Sequence, residues 1–303
     1  MGTSFADRFY EKKWGVFCHF LFDPPGGSHL KERLSELPWD TRVSMVDTDK
    51  LAAALHEMGA GYFFITLMQG RKYMAAPNAT YDRIAGTKPG EACPHRDLIE
   101  DLYTSLSRYG IDLYLYYTGD GPYIDREVGE RFGFVEPRKD VSEDFVRKWA
   151  SVLDEYARRY KGKVRGWWID GCYPYFGYTT ELLTIYHDTL KAVDPDCGIA
   201  FNVHGVKDEL IKNHPLEDFT PGEFNSPYYV PKARFIDGAQ AHLLMPVGPM
   251  WGTPGCTYTR EQMADYVRRV REAGGIPTFD VLILPDGSFD PAQQDALTLR
   301  GML

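Results

Sequence analysis

The chain has 303 residues, 44% hydrophobic and 14% aromatic, enough for one large core. Its formal net charge of −9 argues against sequence-independent binding of nucleic acid, which needs clustered lysines and arginines. No apolar run approaches the ~20 residues of a membrane helix, and the polar N-terminus lacks the apolar core of a signal peptide. We therefore expect a cytoplasmic protein.

Hydrophobic runs and helical spacing alternate along the chain. The predicted strands are Trp14–Phe22, Tyr62–Leu67, Ile111–Tyr117, the run from Val164 to Asp170, Gly198–Asn202, the weaker candidates Asp218–Phe224 and Ala239–Val247, and Ile276–Leu284. The predicted helices are Asp47–Met58, His95–Tyr109, Ser142–Tyr160, Thr179–Val193, Arg260–Ala273 and Pro291–Leu303.

About eight strands alternating with helices predict an α/β fold, a (β/α)8 barrel forming one catalytic domain over residues 1–303. We expect irregularity in its fifth and sixth units. A doubly wound open sheet is the competing architecture. It would require a Gly-rich phosphate turn after the first strand, and Gly26-Gly27 in a Pro-rich loop fits that poorly.

The five cysteines, Cys18, Cys93, Cys172, Cys197 and Cys256, are scattered and odd in number. None has the spacing of a zinc site or of a disulfide framework, so we expect five buried free thiols. The sequence predicts no metal and no cofactor.

The stretch from Val164 to Gly171 carries the strongest functional signal. Trp167, Trp168 and Ile169 are typical of a strand buried on both faces, and the run ends in Asp170. Barrel enzymes keep their catalytic groups at the carboxyl ends of strands, so Asp170 is a catalytic candidate. The alternative is an aspartate that simply begins a loop.

Other polar residues also fall at the carboxyl ends of the predicted strands. They are His19, Gln69, Tyr116 or Tyr117, Asp120, Asn202, His204, Asp218, Glu223, Trp251, Asp280 and Asp286. Carboxylates and aromatic residues dominate, which suits a sugar, because rings pack on its apolar faces and polar side chains bond its hydroxyls. Hydrolysis of a glycosidic bond needs two carboxyl groups in different environments, and Glu223, which Phe224 could help to desolvate, is our candidate for the acid.

Several motifs, in order, resemble those of the α-L-fucosidase family of retaining glycoside hydrolases. They are Trp14-Gly15-Val16-Phe17-Cys18-His19, the segment from Ala52 to Thr66, Pro94-His95-Arg96-Asp97-Leu98 with Tyr116-Tyr117-Thr118, Trp168-Ile169-Asp170-Gly171, and the tail from Gly274-Gly275 through Leu284-Pro285-Asp286-Gly287. The resemblance runs along nearly the whole chain.

The resemblance implies a retaining exo-α-glycosidase in which Asp170 is the nucleophile and Glu223 the acid/base. It makes His19 a sugar ligand, whereas the residues alone favour a core histidine. The substrate-binding residues that we predict are His19, Trp39, Gln69, Tyr117, Trp168, His204 and Trp251. The expected partner is a small carbohydrate or glycoconjugate, with no nucleic acid or membrane, and an oligomer is compatible with the sequence.

Three departures from that family affect positions that hold sugar hydroxyls in its members. Gln69-Gly70-Arg71-Lys72 replaces a His-His-Asp-Gly motif, Phe20 replaces a Trp, and Asn202-Val203-His204 replaces Asn-Asp-Arg. One alternative is therefore a carbohydrate-binding pseudoenzyme on the same barrel. Another is a metal-dependent hydrolase using His19, Asp120 and His204, although these residues lack ligand spacing.

Overall fold

A computed structural model describes residues 4–23, 36–204 and 208–303 of the chain. Its strands are Gly15–Cys18 (β1), Tyr62–Thr66 (β2), Asp112–Thr118 (β3), Val164–Asp170 (β4), Gly198–Phe201 (β5), Phe235–Ile236 (β6), Ala239–Gln240 (β7), His242–Pro246 (β8) and Ile276–Asp280 (β9). The helices are Phe5–Glu11, Trp39–Ser44, Thr48–Met58, Ala79–Ala85, Leu98–Ser107, Arg126–Phe132, Glu143–Arg159, Thr180–Val193, Arg260–Glu272 and Pro291–Ala296, with a 3₁₀ turn at Pro174–Phe176. The Gly26-Gly27 turn, in the loop after the first strand, lies outside the described residues.

Seven parallel strands form one sheet in the order β5-β4-β3-β2-β1-β9-β8. The segment 218–224 fills the gap between β5 and β8. The N–H of Asp218 donates to the carbonyl of Ile199 at 2.9 Å, and the N–H of Phe224 donates to the carbonyl of Leu244 at 2.9 Å. These bonds close a (β/α)8-type barrel, which confirms the predicted fold, and the irregularity lies in the sixth unit.

The amino end of the barrel is filled by a helix that the sequence did not lead us to predict. Phe9 of the helix Phe5–Glu11 is fully buried, and its ring lies 4.9 Å from those of Tyr62 and Tyr114. A Cβ at Gly198 would lie only 2.0 Å from the ring of Phe5, so glycine is required where this helix meets β5. Aromatic packing therefore fills this end of the barrel.

The helices form where the sequence supplies caps. The carboxylate of Asp47 accepts the N–H of Lys50, and Gly59, at φ 86°, ends the same helix in the left-handed conformation. The predicted end of this helix at Met58 is correct. Later, Thr259 and Gln262 form a capping box at the start of Arg260–Glu272.

The last strand and the last helix are both shorter than predicted. The strand ends at Asp280, because the N–H of Leu282 donates to the side chain of Gln293 at 2.7 Å instead of to a strand. The final helix ends at Ala296, because the N–H of Leu299 turns to donate to the carbonyl of another helix at 2.9 Å.

All five cysteines are free thiols, and four of them are buried, whereas Cys256 is partly exposed, which corrects the expectation that all five are buried. Among the helices that the structure describes, none combines the length and apolar character that crossing a membrane requires.

Candidate active site

Asp170 ends β4 in the mouth of the barrel, with hydrogen-bond donors from the two neighbouring strands. The hydroxyl of Tyr116, on β3, donates to Oδ2 at 2.7 Å. The amide of Asn202, directly after β5, donates to Oδ1 at 2.8 Å, and the hydroxyl of Tyr173 lies 3.4 Å from the same oxygen. Because the strands are parallel neighbours, their carboxyl ends bring these groups to one point.

Glu223 reaches the same point from the irregular segment 218–224. The Asn202 Nδ2 that bonds to Asp170 also donates to Oε2 of Glu223, at 2.5 Å. The two bonded carboxylate oxygens are therefore separated by no more than the sum of these two hydrogen-bond lengths. The main chain of Gly222 packs so closely on β8 that a Cβ there would lie 1.9 Å from the carbonyl oxygen of His242. Glycine before Glu223 thus lets the acidic side chain approach the barrel axis.

The environments of the two carboxyl groups differ. Burial and the negative charge of Asp170 raise the pKa of Glu223 to about 7, and the hydrogen bond from Asn202 opposes that rise. Near neutral pH, Glu223 can therefore both donate and accept a proton.

Aromatic side chains form the walls of a cavity of about 260 Å³ around the two carboxylates, slightly below the usual range for small-molecule sites. The rings of Trp168 and Tyr116 stack with their centroids 5.4 Å apart. The indole N–H of Trp168 donates to the carbonyl of Pro221 at 3.0 Å, which ties this wall to the segment that carries Glu223. Among the described residues, the lining consists of Phe17, His19, Gln69, Tyr116, Arg138, Trp168, Asp170, Tyr173, Glu223, Leu244 and Trp251.

His19 is held by a buried aspartate. Its Nδ1 lies 2.9 Å from Oδ1 of Asp280, and Oδ2 of Asp280 accepts the N–H of Gly252 at 2.6 Å. Asp280 thus fixes both the imidazole and the loop carrying Trp251, whose ring lies 6.0 Å from that of His19. With Nδ1 engaged, the structure leaves Nε2 without a partner among the described residues, available to a ligand hydroxyl.

An ion pair between Asp120 and Arg138 lies beside Asp170. Asp120 is only 2% exposed, and its carboxylate accepts from the hydroxyl of Thr118 and from Nε of Arg138, the latter at 2.7 Å. Burial raises the pKa of Asp120 to about 6, although Arg138 opposes this. A Cβ at Gly171 would lie 2.7 Å from the Asp120 carboxyl carbon, and Gly171 has φ 68°, so both space and backbone conformation require glycine after Asp170.

The structure brings most of the sequence-predicted residues together. Those that line the cavity are His19, Gln69, Trp168, Asp170, Glu223 and Trp251.

The structure places Trp39 elsewhere, which corrects its predicted position in the sugar site. It is 3% exposed, at the start of the short helix Trp39–Ser44. Its indole N–H donates to the carbonyl of Met74, and its ring packs against Phe20 at 5.2 Å and Tyr73 at 5.9 Å. Trp39 therefore belongs to the hydrophobic core under the loops.

Tyr117 also lies away from the cavity. It stacks on Trp149 with the centroids 5.1 Å apart and donates its hydroxyl to the carbonyl of the same residue at 3.0 Å. Successive strand residues point to opposite faces, so its neighbour Tyr116 faces the barrel interior. The sequence did not decide which of the two tyrosines faces the site. Tyr117 was predicted to bind substrate, and the structure corrects this to Tyr116.

His204 lines a small adjoining cleft, together with Asn202 and Glu223, and not the main cavity. Asn202, among the strand-end candidates but not selected, holds both carboxylates. Arg138 and Tyr173 were not selected as site residues either. Asn202 could have been found from its position at the carboxyl end of β5, which matches that of Asp170 at the carboxyl end of β4.

Within residues 4–23, 36–204 and 208–303, no group of three or more histidine, cysteine, aspartate or glutamate side chains could hold a metal ion. His19 is bonded to Asp280 and Asp120 to Arg138, so the residues of the metal-dependent alternative do not form a ligand set.

A closed parallel barrel with its cavity at the carboxyl ends of the strands defines the class of fold, that of the (β/α)8 barrels. Neither a protein-family model nor a curated protein sequence matches the chain significantly. Solved structures with this fold do match, and among them are glycoside hydrolases.

Three of these structures illustrate the similarity. An endo-fucoidan hydrolase of glycoside hydrolase family 107 aligns with a TM-score of 0.69 and 17% identity, over 95% of this chain and 91% of its own. A family 29 α-L-fucosidase from Bacteroides thetaiotaomicron, trapped as a covalent intermediate, has a TM-score of 0.68 and 17% identity, over 99% and 74%. An α-L-fucosidase from Lactobacillus casei in complex with α-L-fucose has a TM-score of 0.65 and 17% identity, over 99% and 98%. At these identities the comparison establishes the shared fold.

Proposed function

We propose that the protein is a retaining exo-α-glycosidase that hydrolyses an α-L-fucoside or a closely related sugar, with Asp170 as nucleophile and Glu223 as acid/base. The observation that carries this proposal is the single amide of Asn202 that bonds to both carboxylates in the barrel mouth. The similar fucosidase structures support the choice of sugar.

The spacing of the carboxylates supports retention. Retaining enzymes place the two groups about 5–5.5 Å apart, whereas inverting enzymes leave about 6.5–9.5 Å for a water molecule. Bonds of 2.8 and 2.5 Å to one nitrogen keep one oxygen of Asp170 and one oxygen of Glu223 closer together than the wider, inverting spacing. Direct attack by Asp170 on the anomeric carbon therefore fits better than attack by an intervening water.

The first step requires Glu223 to be protonated. A pKa of about 7 gives a substantial protonated fraction at neutral pH, so Glu223 can donate its proton to the departing glycosidic oxygen. Asp170 attacks the anomeric carbon at the same time and forms a glycosyl ester. The hydroxyl of Tyr116 and the amide of Asn202 fix the attacking carboxylate.

In the second step Glu223, now ionised, accepts a proton from water as the water attacks the anomeric carbon and releases Asp170. The sugar leaves with its original anomeric configuration. Trp168 and Tyr116 supply apolar surface for the ring, while His19 and Gln69 can bond its hydroxyls.

Turnover of aryl α-L-fucosides tests the proposal. Asp170→Ala should abolish it, and added azide should restore part of it by attacking in place of the missing carboxylate. Asp286→Ala is the matched control, because Asp286 is another strand-end candidate, half-exposed and paired with Lys50 away from the cavity. Undiminished activity of Asp170→Ala would overturn the assignment. Binding heats with fucosides and related sugars but no product would instead favour the carbohydrate-binding pseudoenzyme.

A further inference from the structure

An aromatic ledge, defined here as Tyr173 and Tyr175, extends from the cavity to the protein surface. Tyr173 lines the cavity beside Asp170. Tyr175 stacks on it with the centroids 5.1 Å apart and the planes 14° apart. Tyr175 is nevertheless 73% exposed, so a large ring surface faces solvent next to the site.

Arg138 lies next to this ledge and is held in position on three sides. Its Nε donates to Asp120, its guanidinium carbon lies 3.7 Å from the centre of the Tyr123 ring, and the ring of Phe176 lies 5.1 Å away. Arg138 lines the cavity, and in the described part of the chain no residue accepts a hydrogen bond from its two Nη nitrogens. A preorganised guanidinium with two available nitrogens suits a bidentate contact with an anion.

We propose that Tyr173, Tyr175 and Arg138 form a subsite for the leaving group, and that this subsite takes a ring bearing an anionic group of the carboxylate or sulfate type. This inference rests on the proposed function, because only a glycosidase has a leaving group to bind.

The side chains become more exposed with distance from the nucleophile, which places the leaving group at this subsite. Trp168 and Tyr116, the walls nearest the nucleophile, are at most 3% exposed, whereas the side chain of Arg138 is 39% exposed and Tyr175 more so. An exo-acting enzyme buries the terminal sugar, and the rest of the substrate extends outward past the rim of the cavity. Stacking on the ledge and a charge-assisted bond to Arg138 then act on the same ring.

The position of the charges also favours an anion on the leaving group over one on the buried sugar. The buried sugar lies against Asp170 and Glu223, which would repel an anion. Among the described residues that line the cavity, Arg138 is the one arginine or lysine. Because Asp120 takes only its Nε, the outer edge of the guanidinium stays available.

The test uses α-L-fucosides of four phenols, carrying 4-carboxy, 4-carbamoyl, 4-sulfo or 4-sulfamoyl groups. Each charged group is compared with its neutral analogue of similar shape. The measured quantity is the ratio of kcat/KM for the charged over the neutral member of a pair. Differences in phenol acidity cancel when this ratio is compared between the natural protein and a variant.

Arg138→Met should lower this ratio at least about tenfold for one or both pairs, because it removes the charge-assisted bond. The affected pair identifies the anion as carboxylate-like or sulfate-like. Tyr175→Ala should raise KM for all four aryl fucosides more than for α-L-fucosyl fluoride, whose leaving group has no ring. Tyr109→Ala is its matched control, since Tyr109 is also exposed and stacked, on His56, but lies before β3 at the other end of the barrel.

An unchanged ratio in Arg138→Met for both pairs overturns the anionic subsite while leaving the glycosidase proposal intact. If Tyr175→Ala and Tyr109→Ala change the KM values of the aryl fucosides equally, the ledge is not a binding surface. If none of the four fucosides nor the fluoride is hydrolysed, the proposed function fails, and the subsite fails with it.

Discussion

Asn202 makes the clearest quantitative prediction, because one side chain touches both carboxylates. Replacing it by leucine, of similar size but without a donor, removes a hydrogen bond that favours the ionised form of Glu223. The pKa of Glu223 should therefore rise above its value of about 7. A hydrogen bond to a charged group contributes about 1.5–3 kcal/mol, and one pKa unit corresponds to about 1.4 kcal/mol. The expected rise is about one to two units.

The assay is the pH dependence of kcat/KM for an aryl α-L-fucoside. In the natural protein the rate should fall above about pH 7, as Glu223 loses the proton that it must donate. In Asn202→Leu this limb should move to between about pH 8 and 9. The maximal rate should fall as well, because Asp170 loses its bond at 2.8 Å.

Asn213→Leu is the control for this experiment. Asn213 is a half-buried amide that lines the cleft beside Asn202, and its Nδ2 donates to the carbonyl of Phe201 and to neither carboxylate. Its replacement should leave the basic limb in place. A basic limb in Asn202→Leu that stays at the natural pH, or moves to lower pH, would refute the assignment of Glu223 as the acid.

Three further substitutions test the geometry around Asp170. Tyr116→Phe removes the hydroxyl that donates to Asp170 and should lower kcat/KM by about tenfold. Tyr117 lies on the opposite face of the same strand, so Tyr117→Phe should leave kcat/KM unchanged and should lower the free energy of unfolding by about 1 kcal/mol. If Tyr117→Phe lowered kcat/KM, and Tyr116→Phe changed only the free energy of unfolding measured with denaturant, the orientations of the two tyrosines would be contradicted. Gly171→Ala should reduce both stability and activity, because a Cβ would press on the Asp120 carboxylate and the left-handed backbone alone costs about 1–2 kcal/mol. If Gly171→Ala kept the unfolding free energy and the kcat/KM of the natural protein, the close approach of Gly171 to Asp120 would be absent.

The sequence predicts the barrel well, because its signals are local. The apolar run at Val164 and the helix between Asp47 and Gly59 each carry their own length, period and ends. The strand of the sixth unit gave only a weak signal in the sequence, and this has a physical reason. The segment 218–224 is held by backbone bonds to strands on either side and by only isolated bridges, so it lacks the alternation of a regular strand.

The two tyrosines of β3 show where sequence patterns fail at the site. Strands buried on both faces lose the polar–apolar alternation that would show which face points inward. Tyr116 and Tyr117 are both fully buried, one toward the barrel axis and the other toward a helix, and composition cannot separate them.

Arg138 and Trp39 illustrate a different limit. Arg138 follows the end of β3 by 20 residues in the sequence, and only tertiary packing against Asp120 brings it to the cavity. Trp39 was predicted to bind substrate, yet the structure buries it at the start of a short helix. In both cases the deciding contacts are long-range, and no local pattern reports them.

The central claim is that the carboxylate of Asp170 becomes covalently attached to the sugar. Incubation with 2-deoxy-2-fluoro-α-L-fucosyl fluoride slows the second step, so the ester accumulates and can be located by mass spectrometry of the digested protein. We predict a mass increase of one fluorofucosyl group on the peptide containing Asp170. A label on another carboxylate, or release of fluoride with inverted product and no label, would contradict the account.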